Sequence, residues 1–161
     1  FITPMKPDNF SLMGVENLGS MLEKWKKQWQ VSAKALAGEI PSQNVLTGEA
    51  LFIGYVINDY NQYNEQPIKT HSEWIKKISN PIKNYLSEKH CKNGLVEQSW
   101  KNALAIIKDY GQLPSESQKH NKAIFDFKKE DFPQGTIENI EKSQEEFSNL
   151  INNIISILEK Y

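Results

Sequence analysis

Few residues in this chain carry side chains that break or make bonds. The histidines are His71, His90 and His120, and the cysteine is Cys91. No histidine has a His or Cys partner at zinc spacing except in the adjacent pair His90-Cys91, and sequence neighbours do not face one another on a helix. No metal centre is expected. His71 reads as part of a helix start, and His120 as a solvated residue on a short polar helix. Cys91 lies between Lys89 and Lys92, and nearby cations lower a thiol pKa. A nucleophilic cysteine also needs an oriented base. The sequence offers none, so an incidental thiol is the simpler reading. A Gly-x-Ser-x-Gly elbow is missing, which leaves a hydrolase without a nucleophile–base pair. Also missing is Gly-x-x-x-x-Gly-Lys-Ser/Thr, the loop that cradles phosphates at a helix N-terminus. No catalytic and no metal-binding residue is assigned.

The elements that would position any site come next. The chain has 161 residues, of which 39% are hydrophobic and 11% aromatic, enough for one domain with a real core. Lys+Arg number 19 against Asp+Glu 20, a net charge of −1. The whole-chain field therefore favours neither nucleic acid nor a membrane surface, although a local basic patch stays open. A single cysteine fits a reducing, cytoplasmic setting. No apolar run approaches the ~20 residues of a membrane span.

Residues 1–14 read as the end of a buried strand, a stiff Pro-x-x-Pro loop and a helix start with Ser11 as N-cap. A chain opening at the carboxyl end of a strand is expected to be part of something larger. Val15, Leu18, Leu22, Trp25 and Trp29 form one apolar stripe on a helix over 11–30. Lys24, Lys26 and Lys27 beside it read as a solvated face before a binding patch. The turn formers of 38–49 predict a loop. Residues 50–58 are almost continuously apolar, as in a strand buried on both faces. Gly54 within it predicts close approach of another backbone. That strand ends at Asn58-Asp59, and open α/β sheets bind ligands beyond their strand carboxyl ends. Tyr60 and Tyr63 either stack on a base or cover the sheet edge, and covering is favoured.

A helix is predicted from Ser72, with Trp74, Ile75 and Ile78 on one face. Asn80-Pro81 reads as a fresh helix start running to Lys89, and 90–101 as a loop. Residues 103–107 read as a second buried strand, ending in Lys108-Asp109-Tyr110-Gly111-Gln112-Leu113-Pro114-Ser115. Ser115 is expected to cap a short helix over 116–121, and Ile124, Phe125 and Phe127 to return to the core. Gly135 and Thr136 open a final helix carrying Ile137, Ile140, Phe147, Ile151, Ile154 and Leu158. Its roughly 24 residues would span ~36 Å. The fold class is α/β, a mainly parallel sheet with helices on both faces. With about three strands visible, the sheet is expected to have an uncovered edge.

Three landmarks, in order, are similar to a known family. The first is Pro4-x-x-Pro7-Asp8-x-Phe10-Ser11-Leu12-x-Gly14-x-x-Asn17-Leu18-Gly19, followed by Trp25 and Trp29. The second is Ile53-Gly54-Tyr55-Val56-Ile57-Asn58, and the third Leu113-Pro114-Ser115-Glu116-Ser117-Gln118 with Lys122-Ala123-Ile124-Phe125-Asp126. Together they resemble the C-terminal half of ParA/Soj/MinD-type ATPases, partition and positioning proteins with a deviant Walker motif. The resemblance covers nearly the whole chain and implies part of a three-layer P-loop NTPase-like sheet, with a helical insertion at about 71–100. It implies ATP and magnesium in the complete protein, whose N-terminal half would supply the phosphate loop, the signature lysine and the magnesium-binding aspartate. It carries the base side of the nucleotide site onto Asn58, Leu113, Pro114 and Ser115. It puts the loop with Pro7, Asp8 and Phe10 near a subunit interface. Family members form homodimers around ATP, respond to a stimulating partner protein and often bind DNA non-specifically; Lys24, Lys26, Lys27, Lys76 and Lys77 are the candidates here. The implied role is the adenine-side and interface-side segment of an ATP-dependent partition or positioning switch, inactive in hydrolysis alone. The alternative is a stand-alone interaction module docking through Trp25, Trp29, Trp74 and Trp100.

Overall fold

A computed structural model describes residues 1–36, 49–60, 62–63, 66–67, 69–128, 130 and 134–160. The sheet is built on its central strand, β2 (Gly54–Tyr60), with β1 (Ile2–Met5) on one side and β5 (Ala105–Lys108) on the other. Both pairings are parallel. Ile2 lies opposite Gly54 and Met5 opposite Ile57, while Val56 and Ile57 face Ala105 and Ile106. Two-residue strands β3 (Gln62–Tyr63) and β4 (Gln66–Pro67) form a separate antiparallel ladder.

Parallel neighbours need long crossovers. α1 (Asn9–Leu36) joins β1 to β2; α2 (Lys69–Pro81), α3 (Glu88–His90) and α4 (Val96–Lys101) lie between β2 and β5. After β5 come α5 (Leu113–His120) and α6 (Gln134–Leu158). The pleat of β2 feeds two cores. Tyr55 and Ile57 join Val15 and Leu22 of α1, Ile78 of α2, and Ile82 and Leu86. Val56 of β2, and Ile53 just before the strand, join Ile107, Leu113, Phe127, and Ile140 and Ile157 of α6. Helices therefore cover both sheet faces, and each fully buried Val, Leu or Ile contributes roughly 1.5–3 kcal/mol. No described helix is long and apolar enough to cross a membrane.

The local chemistry departs from the sequence reading at several points. α1 starts earlier than expected, because Asp8 and not Ser11 is its cap: Asp8 Oδ1 accepts the Ser11 N–H at 2.8 Å. Ser11 Oγ instead accepts the Lys6 N–H at 2.9 Å. These reciprocal bonds pin the Pro-x-x-Pro loop to the first helical turn, and a cap of this kind contributes ~1 kcal/mol. The apolar stripe of α1 is buried at Val15 and Leu22, but Trp25 and Trp29 stay 51% and 42% exposed.

Pro81 does not start a new helix. The run is continuous, and Ile82–Ser87 widens into a π-helical stretch behind the proline, with Glu88 N–H reaching back to Lys83 O. Widening the turn lets the chain pass a residue without an N–H and keep its direction. Residues 96–101, read as loop, form α4, held by the buried hydroxyls of Ser99 and Ser87 at 2.9 Å. The short helix begins at Leu113, so Ser115 lies in its first turn and caps nothing. Phe127 is buried, while Phe125 stays 37% exposed. In α6, Ile157 takes the core position, and Ile151 and Leu158 face outward. The loop over 38–49 lies outside the described residues save its last, as does the side chain of Tyr63. Tyr60 is buried, against α2.

Gly54 is required, but for a side chain and not for a second backbone. It sits at φ +149, and a Cβ there would lie 2.8 Å from Leu104 Cγ. The Leu104 backbone is tied by its N–H to Tyr55 O at 2.8 Å and its side chain is packed in the second core, so yielding would disturb that packing. Gly54→Ala is expected to cost on the order of 2–3 kcal/mol in urea unfolding. Gly14, where an added methyl would meet nothing within 4 Å, is the control: Gly14→Ala should be neutral or stabilise by up to ~1 kcal/mol. Equal effects at the two positions would contradict this packing.

Candidate ligand site at the strand carboxyl ends

The three strands end on one edge of the sheet, and their last residues surround a cavity of ≈290 Å³. Lys6 follows the end of β1, Asn58 and Asp59 come from β2, Lys108 ends β5 and Asp109 follows it. Ile107, Pro114, Ile124 and Phe147 supply an apolar wall. The position follows from the fold: parallel strands stop together, and their polar terminal residues meet where the covering helices diverge.

The charges there are largely engaged. Lys6 Nζ pairs with the Asp59 carboxylate, which raises the ammonium pKa by hydrogen bonding first and by charge second. Lys108 Nζ donates to Asn139 Oδ1 at 3.1 Å and lies 5.0 Å from the Tyr110 ring centroid. Asp109 Oδ1 accepts the Gly111 N–H at 2.7 Å, shaping the turn after β5. Glu146 of α6 accepts from both the Tyr110 hydroxyl, at 2.6 Å, and the Lys108 N–H, at 3.2 Å. That carboxylate ties α6 to the wall of the cavity. Burial, then the Glu146 hydrogen bond and charge, push the Tyr110 hydroxyl pKa well above its ordinary value.

Of the residues read as base-binding, the structure brings Asn58 and Pro114 to this cavity. Leu113 instead belongs to the core under α6, and Ser115 is exposed on α5. Of those read as interface residues, Pro7 is buried, Asp8 is spent on capping α1, and Phe10 stands 83% exposed. Lys24, Lys26, Lys27, Lys76 and Lys77 all lie on α1 and α2, the layer over one sheet face. Lys26 pairs with Glu49 at 2.7 Å, and Lys77 Nζ sits 4.6 Å from the Trp74 ring centroid. Sequence reasoning placed Asp59 with Asn58 at the ligand-binding end of its strand but missed Lys6, Lys108, Tyr110 and Phe147 as cavity residues. The signal available was position: each polar member is at, or just beyond, the carboxyl end of a strand.

A second cavity, of ≈220 Å³, lies between α1 and the segment leading into β2. Leu22, Trp25, Lys26, Glu49, His90 and Cys91 are among its lining. Burial lowers the His90 pKa. Compared with known proteins, the chain matches no family model, and no curated protein or solved structure shows significant similarity to it.

Because folding holds Tyr110 protonated, its contribution is complete below the ordinary tyrosine pKa of ~10 and is lost as pH rises above it. Unfolding free energy should therefore fall above pH ~10. Tyr110→Phe should lower stability at neutral pH by about 1–3 kcal/mol, the worth of a hydrogen bond to a charged group, and should make the alkaline decline shallower. Urea unfolding from pH 7 to 11 measures both; an unchanged alkaline slope would refute the Tyr110–Glu146 coupling.

Proposed function

We propose that this chain is the base-binding, C-terminal segment of a ParA-like ATPase, a cytoplasmic nucleotide-driven partition or positioning switch that dimerises when complete. The observation that carries this reading is the strand-end cavity lined by Asn58 and Pro114, two residues that the family resemblance assigns to the base. Its chemistry supports the base end of a nucleotide over the phosphate end. Ile107, Ile124, Phe147 and Pro114 offer a surface for a flat ring. Beside Lys6 and Lys108 the cavity also carries the acidic residues Asp59 and Asp109, which disfavours a phosphate. Phosphate and magnesium binding need a loop that the 161 residues lack, so hydrolysis is assigned to the complete protein. DNA binding through the α1 and α2 lysines and an ATPase-stimulating partner belong to the same proposal.

A second reading, a non-catalytic interaction module, is favoured by one observation: Trp25 and Trp29 are 51% and 42% exposed on α1. Large aromatic rings on a surface mark docking sites more often than polar residues do.

Calorimetric titration separates the two. Adenosine and ATP should bind this chain with Kd values within about threefold of each other, and tripolyphosphate should not bind. Asn58→Ala should weaken both ligands about tenfold, equivalent to ~1.4 kcal/mol. Binding of tripolyphosphate as tight as that of ATP, or no heat with adenosine, would remove the base-site reading.

A further inference from the structure

We propose that Lys6, Asp59 and Tyr60 form a latch that transmits occupancy of the strand-end cavity to α2, on the opposite face of the sheet. The identity of the ligand rests on the base-site reading above; the latch itself does not.

Asp59 is the unusual residue. Its φ is 58, the left-handed region, in a residue that is not glycine. Such a conformation within a strand persists only where its surroundings hold it. Three contacts hold it here: the Lys6 ammonium, which reaches from the end of β1 to the Asp59 carboxylate, the Asp109 N–H, which Tyr60 O accepts at 3.2 Å, and the buried Tyr60 ring. The same residue interrupts the β2–β5 ladder. Ile57 lies opposite Ile106, yet Tyr60 lies opposite Lys108, so β2 spends one residue more than its partner. A bulge of this kind changes which face the following side chain occupies. Strict alternation would send Tyr60 to the α6 face together with Val56. Instead it packs with Tyr55 and Ile57 in the α1–α2 core, only 5% exposed, its ring centroid 5.9 Å from that of His71 in α2. One residue thus joins two functions. Asp59 lines the cavity, and its backbone sets where the next ring sits.

The lock is weak by construction. The Lys6 and Asp59 side chains are 59% and 39% exposed, and ion pairs in water hold loosely. A planar ring lying against Ile124 and Phe147 with a hydrogen-bond-donating edge, such as a nucleobase amino group, would compete with Lys6 for the carboxylate. Releasing Lys6 removes the one holding contact that faces the cavity and tips the balance at the left-handed turn. The bulge then relaxes, and Tyr60 shifts against His71. The signal crosses the sheet through one backbone step and leaves the rest of the ladder in place.

Two substitutions and one probe test this by NMR of the 161-residue chain. In the ligand-free protein, Lys6→Met should shift the His71 imidazole and Tyr60 ring resonances, because it opens the latch without a ligand. Asp59→Gly adopts the left-handed turn without strain and carries no carboxylate, so both rings should keep their wild-type resonances. At saturating adenosine, the wild type should show shifts at Asn58 and His71 together; Asp59→Gly, which loses the carboxylate contact and needs more adenosine to saturate, should then show them at Asn58 only. The latch is overturned if Lys6→Met leaves both rings of the ligand-free chain unmoved, or if Asp59→Gly still passes the adenosine response to His71. Adenosine that moves neither Asn58 nor His71 in the wild type sinks the base-site reading, and the Lys6→Met spectrum then decides the latch by itself.

Discussion

Parallel pairing on both edges of Gly54–Tyr60 is the constraint that the other elements satisfy. Two neighbours take the hydrogen bonds of this strand, and two helical layers take its side chains. Such a strand has no solvated face, so it must be apolar until it stops, and its first polar residues mark the sheet edge. Asn58 and Asp59 are those residues. β1 and β5 stop beside them with Lys6 and Lys108, so charged groups from three separate parts of the chain meet around one opening. The cavity is a consequence of the pairing before it is anything else.

What surrounds that opening is held from α6. Glu146 grips the Tyr110 hydroxyl and the Lys108 backbone, and Asn153 Nδ2 donates to Leu104 O at 2.7 Å. α6 thereby fixes the approach to β5 and its exit. On the other face, α1 meets the π-helical stretch closely enough that a Cβ at Gly19 would lie 2.6 Å from Tyr85 O. Both layers are thus keyed to the sheet by specific contacts as well as by apolar area. The exposed ion pair at Lys6–Asp59 is different in kind, since water competes with it directly. That contrast makes it the part of the edge best suited to move.

The helix-and-strand plan was legible because it rests on periodicity. An unbroken apolar run with β-branched and aromatic members specifies a strand buried on both faces, and the spacing of Ile140, Phe147 and Ile154 specifies a helix lying on a core. The misses share a cause: they depend on which of two similar local bonds wins in three dimensions. Asp8 and Ser11 are both good caps, and only the path of the Pro-x-x-Pro loop selects Asp8. Asn80-Pro81 can begin a helix or be carried within one, and packing of Ile78, Ile82 and Leu86 in one core carries it. Leu113, read as base-facing, is drawn into the core because α5 starts at that residue. The Asp59 bulge left a faint trace at most, since Asn and Asp tolerate left-handed backbone and no residue of the strand announces the slipped register. Asn58 was legible as a strand-end residue from the sequence pattern, and it lines the cavity; Lys6, from the end of β1, was visible there only once β1 was paired beside β2.

The central claim, that the strand-end cavity takes the base of a nucleotide, is tested most directly by a crystal structure of the chain grown with adenosine. The purine ring should lie between Asn58 and the Pro114–Phe147 wall, its amino edge toward Asp59. A ring bound instead against Trp25 in the cavity beside His90, with the strand-end cavity empty, would contradict it.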